Sequence, residues 1–172
     1  LSLQIIEELL KQRKNNSAMT IDQRLIQAME SILNVALTDR SADLAVLARL
    51  LVLPSEAYIG ELAEEIDIDG IHEVREFMRQ ELAVSLEDKL LKVYQLLNND
   101  KPYLVEADDI AERSLKNTVL NYLILLNGEK VEICHDQYKQ ADNMTDKSAA
   151  LRALLSADSE QAVDLQKQSL TE

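Results

Sequence analysis

The chain has 172 residues and a formal net charge of −13, from 18 basic and 31 acidic side chains. Such a charge repels a phosphate backbone unless basic residues cluster locally, and no dense basic patch is present, so the sequence argues against nucleic-acid binding. Only 3 Gly and 2 Pro occur, which is too few for the turns of a β protein. The composition therefore predicts an all-α chain with one core or several stacked helical repeats.

The cysteine count and the hydropathy pattern bear on location. Cys134 is the only cysteine, which excludes an internal disulfide and a multi-thiolate metal site and favours a reducing compartment, so we expect the cytoplasm. No stretch approaches the roughly 20 apolar residues of a membrane span, and no signal peptide is visible. The chain begins without Met and stops inside an unfinished helical pattern, as expected of a segment excised from a longer protein.

Apolar residues at helical spacing predict three short helices at the start of the chain, over 3–10, 21–39 and 41–51. Thr20 is the expected cap of the second helix, and Ser41 is expected to start the third.

A boundary follows at LPSE, where Ser55 can cap a helix over 56–65. The next element is predicted to be a long amphipathic helix over 71–97, about 40 Å in length at roughly 1.5 Å per residue. Its core stripe reads Ile71, Val74, Met78, Leu82, Leu86, Leu90, Val93 and Leu97.

Pro102 should stop the long helix, and the acidic residues of 106–109 favour a new helix N-terminus. The next helix carries apolar residues on most of its surface, so we expect it to be central and buried on more than one side. Its apolar residues are Leu115, Val119, Leu120, Tyr122, Leu123, Ile124, Leu125 and Leu126.

Asn127 and Gly128 are expected to end that helix as a left-handed C-cap, and a further helix should run through 131–138. The stretch QYKQADNMTDKSAALRALL, at 137–155, then predicts helix, polar corner and helix. Its corner residues Asp142, Asn143, Thr145 and Asp146 are predicted to be caps. A last weak amphipathic segment contains Ala162, Leu165 and Leu170.

About nine helices with short connections favour a superhelical array of antiparallel helix pairs, a HEAT- or armadillo-like α-solenoid, over a four-helix bundle. The length of the 71–97 helix is the main argument against a regular repeat. We expect one all-helical segment over 1–172, without an internal domain boundary.

His72, Glu73 and Glu76 spell His-Glu-x-x-Glu, one residue away from a zinc-binding pattern. Zinc would need a further ligand, and acidic residues in a first helical turn have a simpler electrostatic explanation. We therefore predict a structural role for all three residues.

Two further patterns are similar to known sites but have simpler structural explanations. Asp67, Asp69 and Gly70 are similar to the start of a calcium loop but lack its bidentate Glu, so capping is predicted. Cys134 and His135 point about 100° apart on a helix, which favours a buried Cys and a surface His over a catalytic dyad.

Asn15-Asn16-Ser17 and Asn143-Met144-Thr145 match the glycosylation acceptor, which matters only in a secreted protein. No phosphate loop, nucleophile elbow or carboxylate pair is visible, so we predict no catalytic, cofactor-binding or metal residue in this chain.

Four strings occur in order: LPSEAYIGELAEEIDIDGIHEVREFM, the helix that continues to Tyr94, EADDIAERSLKNTVLNYL and QADNMTDKSAALRALL. Their order and spacing resemble the C-terminal helical domain of the bacterial aminopeptidase N family of zinc metallopeptidases. The likeness covers nearly the whole chain and is strongest over 50–155.

The resemblance implies a parent enzyme that releases N-terminal amino acids from peptides with a zinc ion held upstream by His-Glu-x-x-His and a later Glu. It implies no zinc ligand here, because neither that motif nor the family's Gly-x-Met-Glu-Asn motif occurs in this chain. It further implies that the domain packs on the catalytic domain of the same polypeptide and walls a cavity, so that peptide substrates pass its concave face. The charge of −13 suggests a preference for cationic peptide termini.

A second class of function stays open, namely a free-standing helical-repeat scaffold that binds a protein partner. An in-frame His-Glu-x-x-His upstream would favour the peptidase domain, and a start codon near Leu1 would favour the scaffold.

Overall fold

The computed structural model describes residues 1–63, 66–99, 101, 103–126, 128–157, 163 and 167. Within these residues the chain forms eight α-helices, one 3₁₀ turn and no β-strand, so the prediction of an all-α fold is confirmed. The helices are α1 (Ser2–Lys14), α2 (Gln23–Thr38), α3 (Leu44–Leu50), α4 (Glu56–Leu62), α5 (Ile68–Leu97), α6 (Ala107–Leu123), α7 (Glu129–Gln140) and α8 (Met144–Ser156).

The long helix α5 is the main packing surface of the N-terminal half. All eight residues of the predicted stripe are buried, which confirms the helical period read from the sequence. Helices α1, α2, α4 and α6 all pack against α5. A 30-residue helix can serve four neighbours because its buried positions recur at every turn.

Helix α6 is central, as predicted, because it packs on α3, α5 and α8. Leu115, Val119, Leu120 and Leu123 are fully buried, whereas the first half of the helix keeps a polar surface that includes Asp108 and Glu112. The Tyr122 hydroxyl donates a 2.7 Å hydrogen bond to the Leu51 carbonyl at the end of α3, and burial raises its pKa to about 12. The helix ends earlier than its apolar pattern, since Ile124–Leu126 form a 3₁₀ turn.

One predicted cap and one predicted helix start are wrong. Asp22, not Thr20, caps α2 by accepting from the Arg24 amide, and α3 begins at Leu44 behind the cap Asp43, not at Ser41. In both loops an aspartate lies closer to the helix and accepts a charge-assisted bond there. The Ser55 cap of α4 is confirmed, because its side chain accepts from the Tyr58 amide.

The start of α5 is fixed from two sides. The Asp67 side chain accepts from the Gly70 amide at 2.9 Å, which confirms the predicted capping role, and also lies 3.0 Å from Arg13 Nη1 on α1. A Cβ on Gly70 would lie 2.3 Å from Asp67 Oδ2. Glycine is therefore needed at 70 to let the cap and the ion pair coexist.

Gly128 has a φ of 55°, so the expected left-handed backbone is present, but its ψ of −133° is not that of a helical C-cap. Gly128 instead precedes α7 as its N-cap residue. Four predictions fall wholly or partly outside the described residues. They are the stop at Pro102, the cap at Asn127, the end of the fourth helix at Glu65, and the last segment with Ala162, Leu165 and Leu170.

Successive helices pack as pairs, with α5 on α6 and α7 on α8. Helix α6 joins neighbouring pairs, because it contacts both α3 and α8. Helix α2 contacts α5. This order of contacts is that of a helical array, and it brings α5, α6, α7 and α8 together at one polar joint.

Candidate functional site

The joint is built around Asp146, a carboxylate in the first turn of α8 that is only 4% exposed. Its Oδ2 lies 2.7 Å from the Nζ of Lys116 on α6, and its Oδ1 accepts from the Asn117 side-chain amide at 2.8 Å. Asn143 donates to the same Oδ2 at 3.1 Å. A buried carboxylate needs such donors, because removal from water is costly without them.

Gln137 on α7 extends the joint to two further helices. Its Nε2 donates to the Asn117 side-chain oxygen at 2.9 Å and to the Asp146 carbonyl at 3.1 Å. Its Oε1 accepts from the Tyr94 hydroxyl of α5 at 3.0 Å. Burial raises the pKa of Tyr94, which keeps its hydroxyl protonated as a donor. We call Tyr94, Lys116, Asn117, Gln137 and Asp146 the polar joint.

The corner before α8 holds the joint in place. Asn143 caps the helix, since its Oδ1 accepts from the Asp146 amide at 2.9 Å. Asp142 accepts from the Tyr103 amide, and hydrogen bonding, mainly from the Asn143 side chain, lowers the pKa of Asp142. Of the four predicted caps, only Asn143 caps the helix. Asp146 is a buried ion-pair partner, and Asp142 ties the corner to the segment before α6.

A polar cavity of about 300 Å³ lies beside the joint, lined in part by Lys101, Tyr103, Glu112 and Arg113. Lys101 pairs with Glu112 at 2.9 Å, and the Arg113 guanidinium lies 4.8 Å from the centre of the Tyr103 ring. Neither pair places a nucleophile against a base. The joint and its cavity are thus suited to holding four helices in register.

The residues of His-Glu-x-x-Glu point to different partners. His72 Nδ1 lies 2.9 Å from Glu56 on α4, Glu73 pairs with Arg13 of α1, and Glu76 accepts from Arg79. In the described part of the chain, no group of three or more His, Cys, Asp or Glu side chains is arranged to hold a metal ion. These three residues therefore do not fit a zinc site.

The His72–Glu56 pair is expected to respond to pH. The side-chain bond to Glu56 is the main reason why the pKa of His72 lies above its ordinary value of 6.5. The contribution of the pair is fully present below that ordinary value and is lost as the pH rises through the elevated native pKa. An NMR titration of the His72 ring should show this elevation and its loss in Glu56→Gln; an unchanged midpoint in the variant would contradict the pairing.

Cys134 is buried, as predicted, but the prediction of a surface His135 is wrong, because His135 is only 7% exposed. The helix α7 packs on α8 and on the 3₁₀ turn, so two successive residues are covered. The His135 Nε2 is buried and has no hydrogen-bond partner among the described residues. No hydrogen bond joins the thiol to the imidazole there, so the two residues do not form a dyad.

Cys134 is expected to be unreactive in the folded chain. Burial raises the pKa of its thiol to about 12, so almost none of it is thiolate at neutral pH, and the thiolate is the nucleophile. Ellman's reagent at pH 8 should label Cys134 only after urea unfolds the chain. Labelling of the native chain at the rate of the unfolded chain would contradict this environment.

The two acceptor-like asparagines differ in role. Asn15 is exposed at the end of α1, whereas Asn143 is half-buried and uses its side chain as cap and donor. A glycan on Asn143 would break the corner. Among the described helices, none is both long and apolar enough to cross a bilayer.

The described residues form an array of packed helices, which is the architecture of a helical-repeat domain. The sequence profile of the family described as "Domain of unknown function (DUF3458_C) ARM repeats" matches residues 1–170, and the chain belongs to this family. The expected HEAT- or armadillo-like architecture is thereby confirmed.

Three curated bacterial relatives carry the name aminopeptidase N. The protein of Escherichia coli K12 is 39% identical over 122 residues, which are 70% of this chain and 14% of the relative. The protein of Haemophilus influenzae Rd is 37% identical over 140 residues, 80% of this chain and 15% of the relative. The protein of Caulobacter vibrioides CB 15 is 30% identical over 112 residues, 64% of this chain and 13% of the relative.

The resemblance to aminopeptidase N is therefore confirmed, and the chain spans about a seventh of the length of these relatives. The crystal structure of Legionella pneumophila aminopeptidase A in complex with aspartic acid is similar in fold, with a TM-score of 0.73 at 21% identity. The match covers 97% of this chain and 20% of that one. The chain is thus similar to a helical part of aminopeptidases.

Proposed function

We propose that this chain is a noncatalytic helical domain of a zinc-dependent aminopeptidase that releases N-terminal amino acids from peptides. The observation that carries the proposal is the 39% identity to E. coli aminopeptidase N over 122 residues. These residues are 14% of that relative, which leaves most of such a polypeptide, with its catalytic domain, outside the chain. In this proposal residues 1–172 form one undivided segment of its C-terminal domain.

The proposal assigns no catalytic, cofactor-binding or metal residue to the chain. In its support, His72, Glu73 and Glu76 each pair with a different partner. A zinc ion needs three or four ligands that converge on one point, whereas these three side chains point to partners on different helices or turns. The zinc ion of the parent enzyme would be held by the catalytic domain.

The role proposed for the domain is to pack on the catalytic domain and wall the substrate cavity, limiting access to peptides. Curved helical arrays offer extended concave surfaces, which suits a wall without chemistry. The net charge of −13 would draw cationic peptide termini toward that wall. We propose a cytoplasmic location for the enzyme, in keeping with a single buried free thiol.

The wall role can be tested by kinetics of the full-length enzyme. We expect kcat/KM toward a lysine-rich peptide to fall as salt rises from 50 to 500 mM, because screening shortens the reach of the acidic surface. A neutral peptide of equal length and an amino-acid nitroanilide are the matched controls and should change little. Equal salt dependence for all three substrates would count against the role.

The gene itself separates this proposal from a free-standing scaffold. An in-frame His-Glu-x-x-His upstream of Leu1 is expected. A start codon near Leu1 would instead favour a scaffold that binds a protein partner.

A further inference from the structure

A second concavity lies between α6 and α8 and adjoins the cavity beside the polar joint, because Tyr103 and Arg113 line both. Its volume is about 630 Å³, twice that of the cavity beside the joint. The residues that matter here are Val105, Ile110, Arg113, Thr145 and Arg152, all of which line it. We call this concavity the arginine groove.

The charge of the arginine groove differs from that of the chain as a whole. Arg113 and Arg152 line it, and no aspartate or glutamate does so among the described residues. Arg13, Arg24 and Arg79 each form an ion pair with a carboxylate, whereas the exposed Arg40 and Arg49 form none among the described residues. Across the described part of the chain, neither groove arginine has such a pair, although the full sequence carries 31 acidic residues. The groove thus carries two arginines and no carboxylate among its described lining residues, while Arg113 also borders the adjoining cavity, which Asp109, Glu112, Asp142 and Asp146 line.

The geometry of Arg113 leaves its hydrogen-bonding edge available. Its guanidinium lies 4.8 Å from the centre of the Tyr103 ring, an arrangement that holds the group by one face. A guanidinium held by its face can still donate two parallel bonds from its edge to a carboxylate. Arg152, on α8, is exposed and adds a second cation to the same groove.

Apolar side chains are exposed at one end of the groove. Val105 is 71% exposed and Ile110 is 49% exposed, and both belong to its lining. Exposed apolar surface next to two cationic side chains is typical of recognition surfaces, where the apolar part adds affinity and the charges fix orientation.

We propose that the arginine groove binds an acidic peptide segment, whose carboxylate side chains pair with Arg113 and Arg152 and whose apolar residue lies on Val105 and Ile110. A polyphosphate backbone is a poorer occupant, because the surrounding charge of −13 repels a long polyanion more than two carboxylates. This inference does not rest on the aminopeptidase proposal, since it concerns binding by the chain itself.

The test is fluorescence anisotropy of the whole chain with a labelled peptide that carries a single Glu-Glu-Leu unit, blocked at both ends so that only the two Glu side chains carry charge. Binding should be lost with a matched Gln-Gln-Leu peptide. The double variant Arg113→Gln with Arg152→Gln should bind about tenfold more weakly, since each exposed ion pair contributes about two- to fivefold. Arg49→Gln, an exposed arginine on α3, is the matched control and should bind as the unaltered chain.

Circular dichroism of each variant checks that the fold is kept. Four results would overturn the proposal. They are no binding of the acidic peptide at millimolar concentration, equal binding of the Gln peptide, equal binding by the double variant, and stronger binding of a Gln peptide with a free C-terminal carboxylate. Sedimentation velocity adds a fifth: a dimer abolished by the double substitution would assign the groove to a second copy of the chain.

Discussion

Replacing Asp146 with Ala is expected to lower the free energy of unfolding by about 3–5 kcal/mol, the usual cost of breaking a buried ion pair by removing one partner. The substitution leaves the Lys116 ammonium buried without its carboxylate, which lies 2.7 Å away in the intact chain. It also removes the acceptor of the Asn117 and Asn143 side-chain amides. Urea unfolding followed by circular dichroism measures the change.

A matched control comes from the exposed pair between Lys101 and Glu112. Glu112→Ala removes a carboxylate of similar geometry, 2.9 Å from its ammonium, but the Lys101 side chain is 55% exposed. We expect a loss of less than about 1 kcal/mol there, because water solvates the remaining charge. The double variant Asp146→Ala with Lys116→Met should recover part of the loss. Equal effects of Asp146→Ala and Glu112→Ala would contradict a stabilising role for the joint.

Leu82→Ala should destabilise the chain by about 2–5 kcal/mol, the range measured when a buried leucine is truncated in a core that relaxes only partly. Leu82 is fully buried near the middle of α5, the helix that contacts α1, α2, α4 and α6. The cavity would therefore open where several elements meet. Urea unfolding again provides the measurement.

Leu96→Ala is the control for this prediction. Leu96 lies on the same helix and loses the same atoms with the same change in helix propensity, but it is 47% exposed. The difference between the two variants in free energy of unfolding measures the contribution of burying the leucine side chain. A loss at Leu96 as large as that at Leu82 would mean that the chain in solution packs α5 by a different face.

Local patterns predicted most of the helices, because each depends on residues a few positions apart. The stripe from Ile71 to Leu97 determined α5, and the apolar surface of α6 predicted its central place. Helix starts depend on more than local spacing. Thr20 and Asp22 can each cap α2, and Ser41 and Asp43 can each precede α3, so the choice depends on the loop path, which spacing alone does not determine.

The polar joint could not be predicted in this way. Tyr94, Lys116, Gln137 and Asp146 lie on four helices and meet only through tertiary packing. Hydrophobic periodicity assigns a buried Lys or Asp to the solvent face, because such residues are rarely buried unless paired. The sequence carried one local signal: Asp146 follows the cap Asn143 by three residues, which places it in the first turn of α8 but does not predict its burial. The same argument explains why His135 was predicted at the surface.

The corner between α7 and α8 gains a more definite role from the structure. Its sequence predicted a capped turn, and Asn143 forms that cap. The additional finding is that the first turn of α8 carries the carboxylate that ties α6 and α7 to the corner. A family resemblance that is carried by this stretch is therefore explained by packing and does not require a catalytic role.

We propose that this chain is a noncatalytic domain of an aminopeptidase. The most direct test compares hydrolysis of alanine nitroanilide by the chain alone and by the full-length polypeptide, each with and without added zinc. We expect turnover by the full-length polypeptide with zinc and none by the chain under any condition. Zinc-dependent turnover by the chain alone, or an inactive full-length polypeptide with zinc bound, would contradict the proposal.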